Sequence, residues 1–309
     1  MELFVDLISK ILPLYVLVLL GYLAGRYFKV NKESIASLLI FFIVPFVIFN
    51  GVVTASPDRS IMLLPLLSFS LATIMSIAFY NIGKMYWQGP EKNILAFGAG
   101  TGNAGYFGLP LVLALFGEQY LSVAVLLILG ISLFENSIGY YFVARGNFLP
   151  RDAIMRVLRL PTLYAFIVGV LFLALHISIY ENASTLFAHF RGAYSVLGMM
   201  LVGIGLAGVA WSDVDKKFLL LSFASKFLVW PAAAISLILL DINTFHFFSA
   251  SVYPIMLTFS IVPLASNTVA YASQLNTVPE KAAVAVVSTT LFALIYIPFF
   301  VAFVFPLIL

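Results

Sequence analysis

The sequence predicts an all-α integral membrane protein of ten transmembrane helices, arranged as two inverted five-helix repeats. Three observations carry that prediction. Charged residues make up only 9% of the 309, while 63% are hydrophobic. Apolar runs near 20 residues long recur along the whole chain, the length a helix needs to cross a bilayer core of about 30 Å. Lysine and arginine concentrate in alternate connections between those runs, as cytoplasmic loops require. A soluble domain carries about 25% charged residues, so a chain this poor in charge cannot cover its own surface in water. A soluble enzyme, a nucleic-acid binder and a disordered protein are thereby excluded.

The spans run, with ends uncertain by about two to four residues, over Val5–Ala24, Ser34–Val53, Ile61–Tyr80, Asn93–Phe116, Leu121–Ala144, Pro161–Ser178, Leu186–Val209, Phe218–Leu240, Phe247–Ala272 and Ala282–Pro306. The opening MELFVDLISK has acids where a secretory signal has positive charge, so the first run is expected to stay as a span. Asp6 and Lys10 lie one turn apart at its outer end and are placed to pair. Asn31 marks the start of span two, Asp213 and Asp215 that of span eight, and Pro279 the first turn of span ten. With ten spans, thirteen of the sixteen basic residues fall on one side, leaving Lys10, Arg59 and Arg191 on the other. The rich side is cytoplasmic, so both termini are expected outside a cell (inner or plasma) membrane.

The longest connection, Arg145 to Leu160, holds four arginines and divides the spans five and five. The expected organisation is a first repeat over 1–145, a basic cytoplasmic linker over 146–160 and a second repeat over 161–309. An odd number of spans per half forces the second half to insert upside down, the arithmetic of an inverted repeat.

The fourth span of each half carries the same kind of interruption. Span four reads AFGAGTGNAGYFGLPLVLALFG, with Gly102, Gly108 and Pro110 as its breaking residues; span nine reads YPIMLTFSIVPLASNTVAYASQ and breaks at Pro263. Proline removes a donor and clashes with the preceding turn. Broken backbone in a bilayer is tolerated only inside protein or beside a water-filled cavity. Paired breaks at matching positions therefore point to a transporter's binding site, whereas a single kink is more often packing. Gly100 to Gly105 also spells GxGxxG, but the strand and βαβ context of a dinucleotide site are missing, so no cofactor is expected.

The stretch Asn103-Ala-Gly105-Tyr-Phe-Gly108-Leu-Pro110-Leu111, followed by Leu115-Phe-Gly117, resembles the auxin efflux carrier family in its compact prokaryotic form. Pro263, Ala265, Ala270, Ser288-Thr289 and Pro298 are similar to the family's second half. The resemblance covers the whole chain. It implies a bile acid/auxin transporter-like fold, in which helices four and nine cross at their breaks. It implies a scaffold of helices 1, 2, 6 and 7 and a moving unit of helices 3–5 and 8–10. It also implies alternating access and organic-anion substrates such as auxin, malate and malonate. The plant carriers have a long hydrophilic loop between helices five and six; here only Arg145 to Leu160 stands there, which weighs against auxin itself.

A carboxylate needs donors and positive potential, and half-helix N-termini supply both. After Pro263, Leu264 to Asn267 are expected to form the first turn of a half-helix, with Ser266 and Asn267 offering side chains. Asn103, Gly105 and Tyr106 are expected to face them from span four. The bland alternative for each asparagine is an interhelical hydrogen bond. Two charges lie at membrane depth, Glu135 in span five and Lys226 in span eight. Intramembrane charges face the bundle interior and find partners, so the two are expected to pair and to be linked to transport; a static pair, or Lys226 reaching to the interface, is the competing reading. No metal-ligand spacing and no catalytic constellation is seen, so neither an enzyme nor a metal site is expected. Gly21 and Gly25, and Gly203, Gly205 and Gly208, fit close helix packing; a homodimer through the scaffold is the other use of such faces. The expected partners are the anion, membrane lipids and a second copy, with no nucleic acid. The rivals are sodium- or proton-coupled transport of another substrate on this fold, and a channel or receptor.

Overall fold

The structure, a computed structural model, describes residues 2–53, 63–177, 181–207 and 214–308; the regular structure among them is helical, with no strand. The loop around Arg59, Asp213, and Gly208 at the end of span seven lie outside the described residues, as do the side chains of Asp6 and Lys10.

The helices are α1 (Glu2–Phe28), α2 (Lys32–Val53), α3 (Leu64–Lys84), α4 (Glu91–Gly100), α5 (Leu109–Phe116), α6 (Val123–Ala144), α7 (Pro150–Leu158), α8 (Pro161–Ala174), α9 (Glu181–Ala207), α10 (Lys216–Phe245), α11 (Tyr253–Ser260), α12 (Asn267–Gln274), α13 (Pro279–Phe303) and α14 (Phe305–Ile308). Six of them are long and apolar enough to cross a membrane: α2, α3, α6, α9, α10 and α13. The pair α7–α8, bent by 47°, makes a seventh if counted as one span. Helices α4, α5, α11 and α12 have only ten, eight, eight and eight residues. At about 1.5 Å per residue none crosses a core of about 30 Å alone. These are the halves of the expected fourth and ninth spans.

The start signals act as their chemistry dictates. The Asn31 side chain accepts from the Ser34 N–H at 2.7 Å, and Asp215 accepts from Lys217 and Phe218 N–H at 3.1 and 3.0 Å, each satisfying helix donors that lack an intrahelical partner. Pro279 occupies the first turn of α13, where its missing N–H costs nothing. The basic linker over 146–160 contains α7. Pro150 opens it, Asp152 stands in its first turn and Arg156 in its last, which complements the helix dipole at both ends. Arg156 also lies 3.6 Å over the Phe148 ring.

Outward-facing side chains are large and apolar on many helices. Leu228 is 68% exposed and Ile295 71%. In water such a surface would drive association; facing lipid it is the expected covering. Inside, α1 and α9 approach until backbone meets backbone. A Cβ on Gly21 would lie 2.0 Å from the Met200 carbonyl oxygen, and one on Gly203 1.9 Å from that of Val18. Both glycine faces are therefore used within this chain. Likewise Gly169 of α8 admits Val52 of α2, whose Cβ would be 2.9 Å away from an added methyl.

Among the described residues the buried core forms two clusters. One contains Phe97 and Ala99 of α4 with Val269 and Tyr271 of α12. The other contains Leu111 and Val112 of α5 with Ile255 and Phe259 of α11. Each break therefore marks the passage from one apolar layer to the other.

At one end of the bundle, Lys281 Nζ bonds Glu91 Oε1 at 3.0 Å and Asp215 Oδ2 at 3.1 Å, and the Trp87 indole N–H donates to Asp215 at 2.9 Å. Burial alone would raise the Asp215 carboxyl, but the Phe218 N–H, the Lys281 ammonium and the Trp87 N–H hold it below the ordinary carboxylate range. A carboxyl with a lowered folded pKa contributes stability that is complete above the unfolded value, about 3.9, and is lost as pH falls through the folded value. Thermal unfolding followed down this acid limb is expected to show that loss in the wild type and a flatter limb in Asp215→Asn.

Candidate functional site

Helix α4 ends because Thr101 leaves helical geometry, with φ −122° and ψ 162°. Gly102 follows. An added Cβ would stand 2.8 Å from Val262 Cγ2 and 3.0 Å from Lys226 Nζ, so a larger residue there would push these two side chains aside. Asn103 then starts a π turn, Ala104–Gly108, that runs into α5. In the second half, α11 stops at Ser260 and α12 starts at Asn267 with Ser266 as its N-cap. The half-helix thus begins at Asn267, later than the expected Leu264. The non-helical segment leading into it is tied sideways: the Pro263 carbonyl accepts from the Asn103 N–H at 2.8 Å, and the Leu264 N–H donates to Thr289 Oγ1 at 3.3 Å. The first of these bonds joins the two breaks directly, backbone to backbone.

Around this joint lies a buried polar network. Lys226 Nζ donates to the Thr101 carbonyl at 2.7 Å, and the Thr101 hydroxyl donates to Glu135 Oε1. The Asn267 amide donates to Glu135 Oε2 at 2.7 Å and to Tyr194 Oη at 3.0 Å. Thr101 bridges Glu135 and Lys226, its hydroxyl donating to the acid and its carbonyl accepting from the ammonium. Both charges sit in π-helical turns, Glu135–Gly139 in α6 and Ser225–Val229 in α10, the kind of irregular turn that gathers at functional sites. A π turn shifts the register of the helix, here aiming both side chains at the same break. Nearby, Tyr271 Oη donates to Asn136 at 2.8 Å, and the Trp230 indole N–H to the Ala99 carbonyl at 2.6 Å.

Two donors in the centre have a weak partner. Asn103 Nδ2 and Ser266 Oγ, each 2% exposed, point at the Met199 sulfur of α9, at 3.9 and 3.7 Å. A thioether is a weak acceptor, so the amide and the hydroxyl retain much of their capacity to donate. Gly105, two residues on, is exposed, and an added Cβ there meets nothing within 4 Å.

The remaining expected site residues are placed as follows. Gly108 faces the Phe259 ring, whose Cε1 would stand 2.7 Å from an added Cβ. The side chains of Tyr106 and Pro110 lie outside the described residues. Asn103, Ser266, Asn267, Glu135 and Lys226 come together around one break-to-break joint, with Asn267 engaged by Glu135 and Tyr194. Thr101, Tyr194 and Met199 were not singled out by the sequence. Thr101 had a signal, its place within the break; Tyr194 and Met199 had none.

Residues 6–147 match the family described as membrane transport protein, and over that stretch the resemblance to the auxin efflux carriers is borne out. An uncharacterized transporter of Methanocaldococcus jannaschii is 25% identical over 246 residues, covering 74% of this chain and 77% of the relative. The long apolar helices and the family match together describe an integral membrane transport protein.

Proposed function

We propose that the chain is a secondary transporter of small organic anions, carboxylates of the size of malate or malonate, working by alternating access. The observation that carries this reading is the convergence of Asn103 and Ser266, one from each break, on the sulfur of Met199. A carboxylate is a far stronger acceptor for an amide and a hydroxyl than a thioether is, and methionine is flexible enough to withdraw. The Thr268, Val269 and Ala270 N–H groups already donate to the Ala265 and Ser266 carbonyls, so what the start of α12 offers an anion is the positive end of its dipole. The proposed way in is beside Gly105, which is exposed two residues on from Asn103.

In the membrane, the proposed layout is ten spans in two inverted repeats, with α4–α5 and α11–α12 as crossing broken spans. Both termini lie outside a cell membrane. Helices α1, α2, α8 and α9 form the scaffold; the close α1–α9 and α2–α8 contacts support this grouping. The Lys226–Thr101–Glu135 network lies within the moving unit. The Tyr194–Asn267 hydrogen bond and the Lys32–Glu280 ion pair at 2.6 Å join the two units and must be remade during movement.

The reading is tested by thermal unfolding of purified protein against a panel of mono- and dicarboxylates. Saturable stabilisation of the wild type is expected. In Asn103→Ala the apparent affinity should fall about tenfold, the equivalent of one hydrogen bond at about 1.4 kcal/mol. If no carboxylate stabilises the wild type, the substrate class is wrong.

A further inference from the structure

Lys226 is an unusual neighbour for a helix break. The residue is 1% exposed. It donates to the Thr101 carbonyl at 2.7 Å and sits 4.7 Å over the Trp230 ring. It also lies so close to Gly102 that a Cβ there would be 3.0 Å away. The end of α4 carries carbonyls without helical partners and the negative pole of the helix dipole. Two donors of α10 cover that end, Trp230 on the Ala99 carbonyl and Lys226 on that of Thr101. Glu135 faces the same residue from the other side, through the Thr101 hydroxyl. In transporters built on broken helices, unwound carbonyls of this kind hold the coupling cation.

We infer that the Lys226 ammonium is a tethered cation, filling the seat that a diffusible monovalent ion would take at the first break. The inference rests on the reading of the two breaks as the transport site. Three features of the seat support it. A backbone carbonyl and an aromatic face are both cation ligands. The carboxylate of Glu135 supplies the countercharge one residue away. The glycine at 102 leaves the room that an ammonium or a bare ion requires. Because the cation is part of the chain, it is never released, so the protein has no use for external sodium at this position.

The test is thermal unfolding without any carboxylate, with Na+ or methylammonium replacing choline at constant ionic strength. This keeps the result independent of the anion reading, which a negative carboxylate screen alone would sink. Wild type is expected to respond to neither cation. K226A and K226S, which vacate the seat but keep Glu135, should gain saturable stability with Na+ or methylammonium, a rise on the order of a few degrees. K226M fills the volume without charge and should not respond. Saturable stabilisation of the wild type by Na+ overturns the inference without recourse to any variant. K226A and K226S that behave like K226M overturn it as well.

Discussion

Gly203→Ala is expected to destabilise the protein by about 3 kcal/mol or more, the upper end of the range for overpacking. The added methyl would lie 1.9 Å from the Val18 carbonyl oxygen and 2.5 Å from the Tyr22 nitrogen. Both are backbone atoms, so no rotamer change relieves the overlap; α1 and α9 must separate along their whole contact. Membrane helices have little hydrophobic drive toward one another and depend on close approach, which makes such a separation costly. The control lies on the same helix. An added Cβ at Gly192 meets nothing within 4 Å, so Gly192→Ala should be neutral or stabilising by up to about 1 kcal/mol, the helix-propensity gain. Thermal unfolding in detergent of the two variants checks this; equal behaviour would mean that α1 and α9 do not pack through their glycines.

Lys226→Met and Glu135→Gln are each expected to be strongly destabilising, and the double variant much less than additive. Removing one member of a buried pair of charges leaves the other uncompensated, at about 3–5 kcal/mol. Glu135 is bonded by Thr101 and Asn267 and Lys226 by the Thr101 carbonyl, so each would lose its countercharge while keeping hydrogen bonds. For this reason Glu135→Gln, which retains the shape and one acceptor, should cost less than Lys226→Met. Residues that share one network couple by about 0.5–3 kcal/mol, and unfolding measured over the four proteins of the cycle reads that coupling. Additive costs would show that Thr101 does not link the two.

Much of the architecture was legible because it depends on length, polarity and backbone breakers. Apolar runs gave the helices, Pro263 and the glycines about Asn103 gave the breaks, and Asn31, Asp215 and Pro279 gave helix starts. Less was legible where geometry acts between distant parts of the chain. The Arg145–Leu160 connection reads as a loop from its charges, yet its proline, aspartate and arginine are ordered as a helix orders them. The proximity of Glu135 and Lys226 follows from their depth. The threonine between them does not, because it depends on two π turns that carry no compositional mark. Met199 is one apolar residue among many on α9, and only packing reveals that it faces donors from both breaks. Asn267 has a sequence suited to gripping a ligand, but its amide meets Glu135 and Tyr194, which leaves Asn103 and Ser266 as the donors with capacity to share.

The central claim is that the joined breaks form a carrier site for carboxylates. Counterflow tests it most directly: proteoliposomes loaded with an unlabelled dicarboxylate are presented with the labelled one. The account predicts saturable uptake that requires internal substrate and falls about tenfold in Asn103→Ala, as the loss of one hydrogen bond implies. Uptake independent of internal substrate and accompanied by ionic conductance would contradict it, because a pore, unlike a carrier, need not exchange one anion for another.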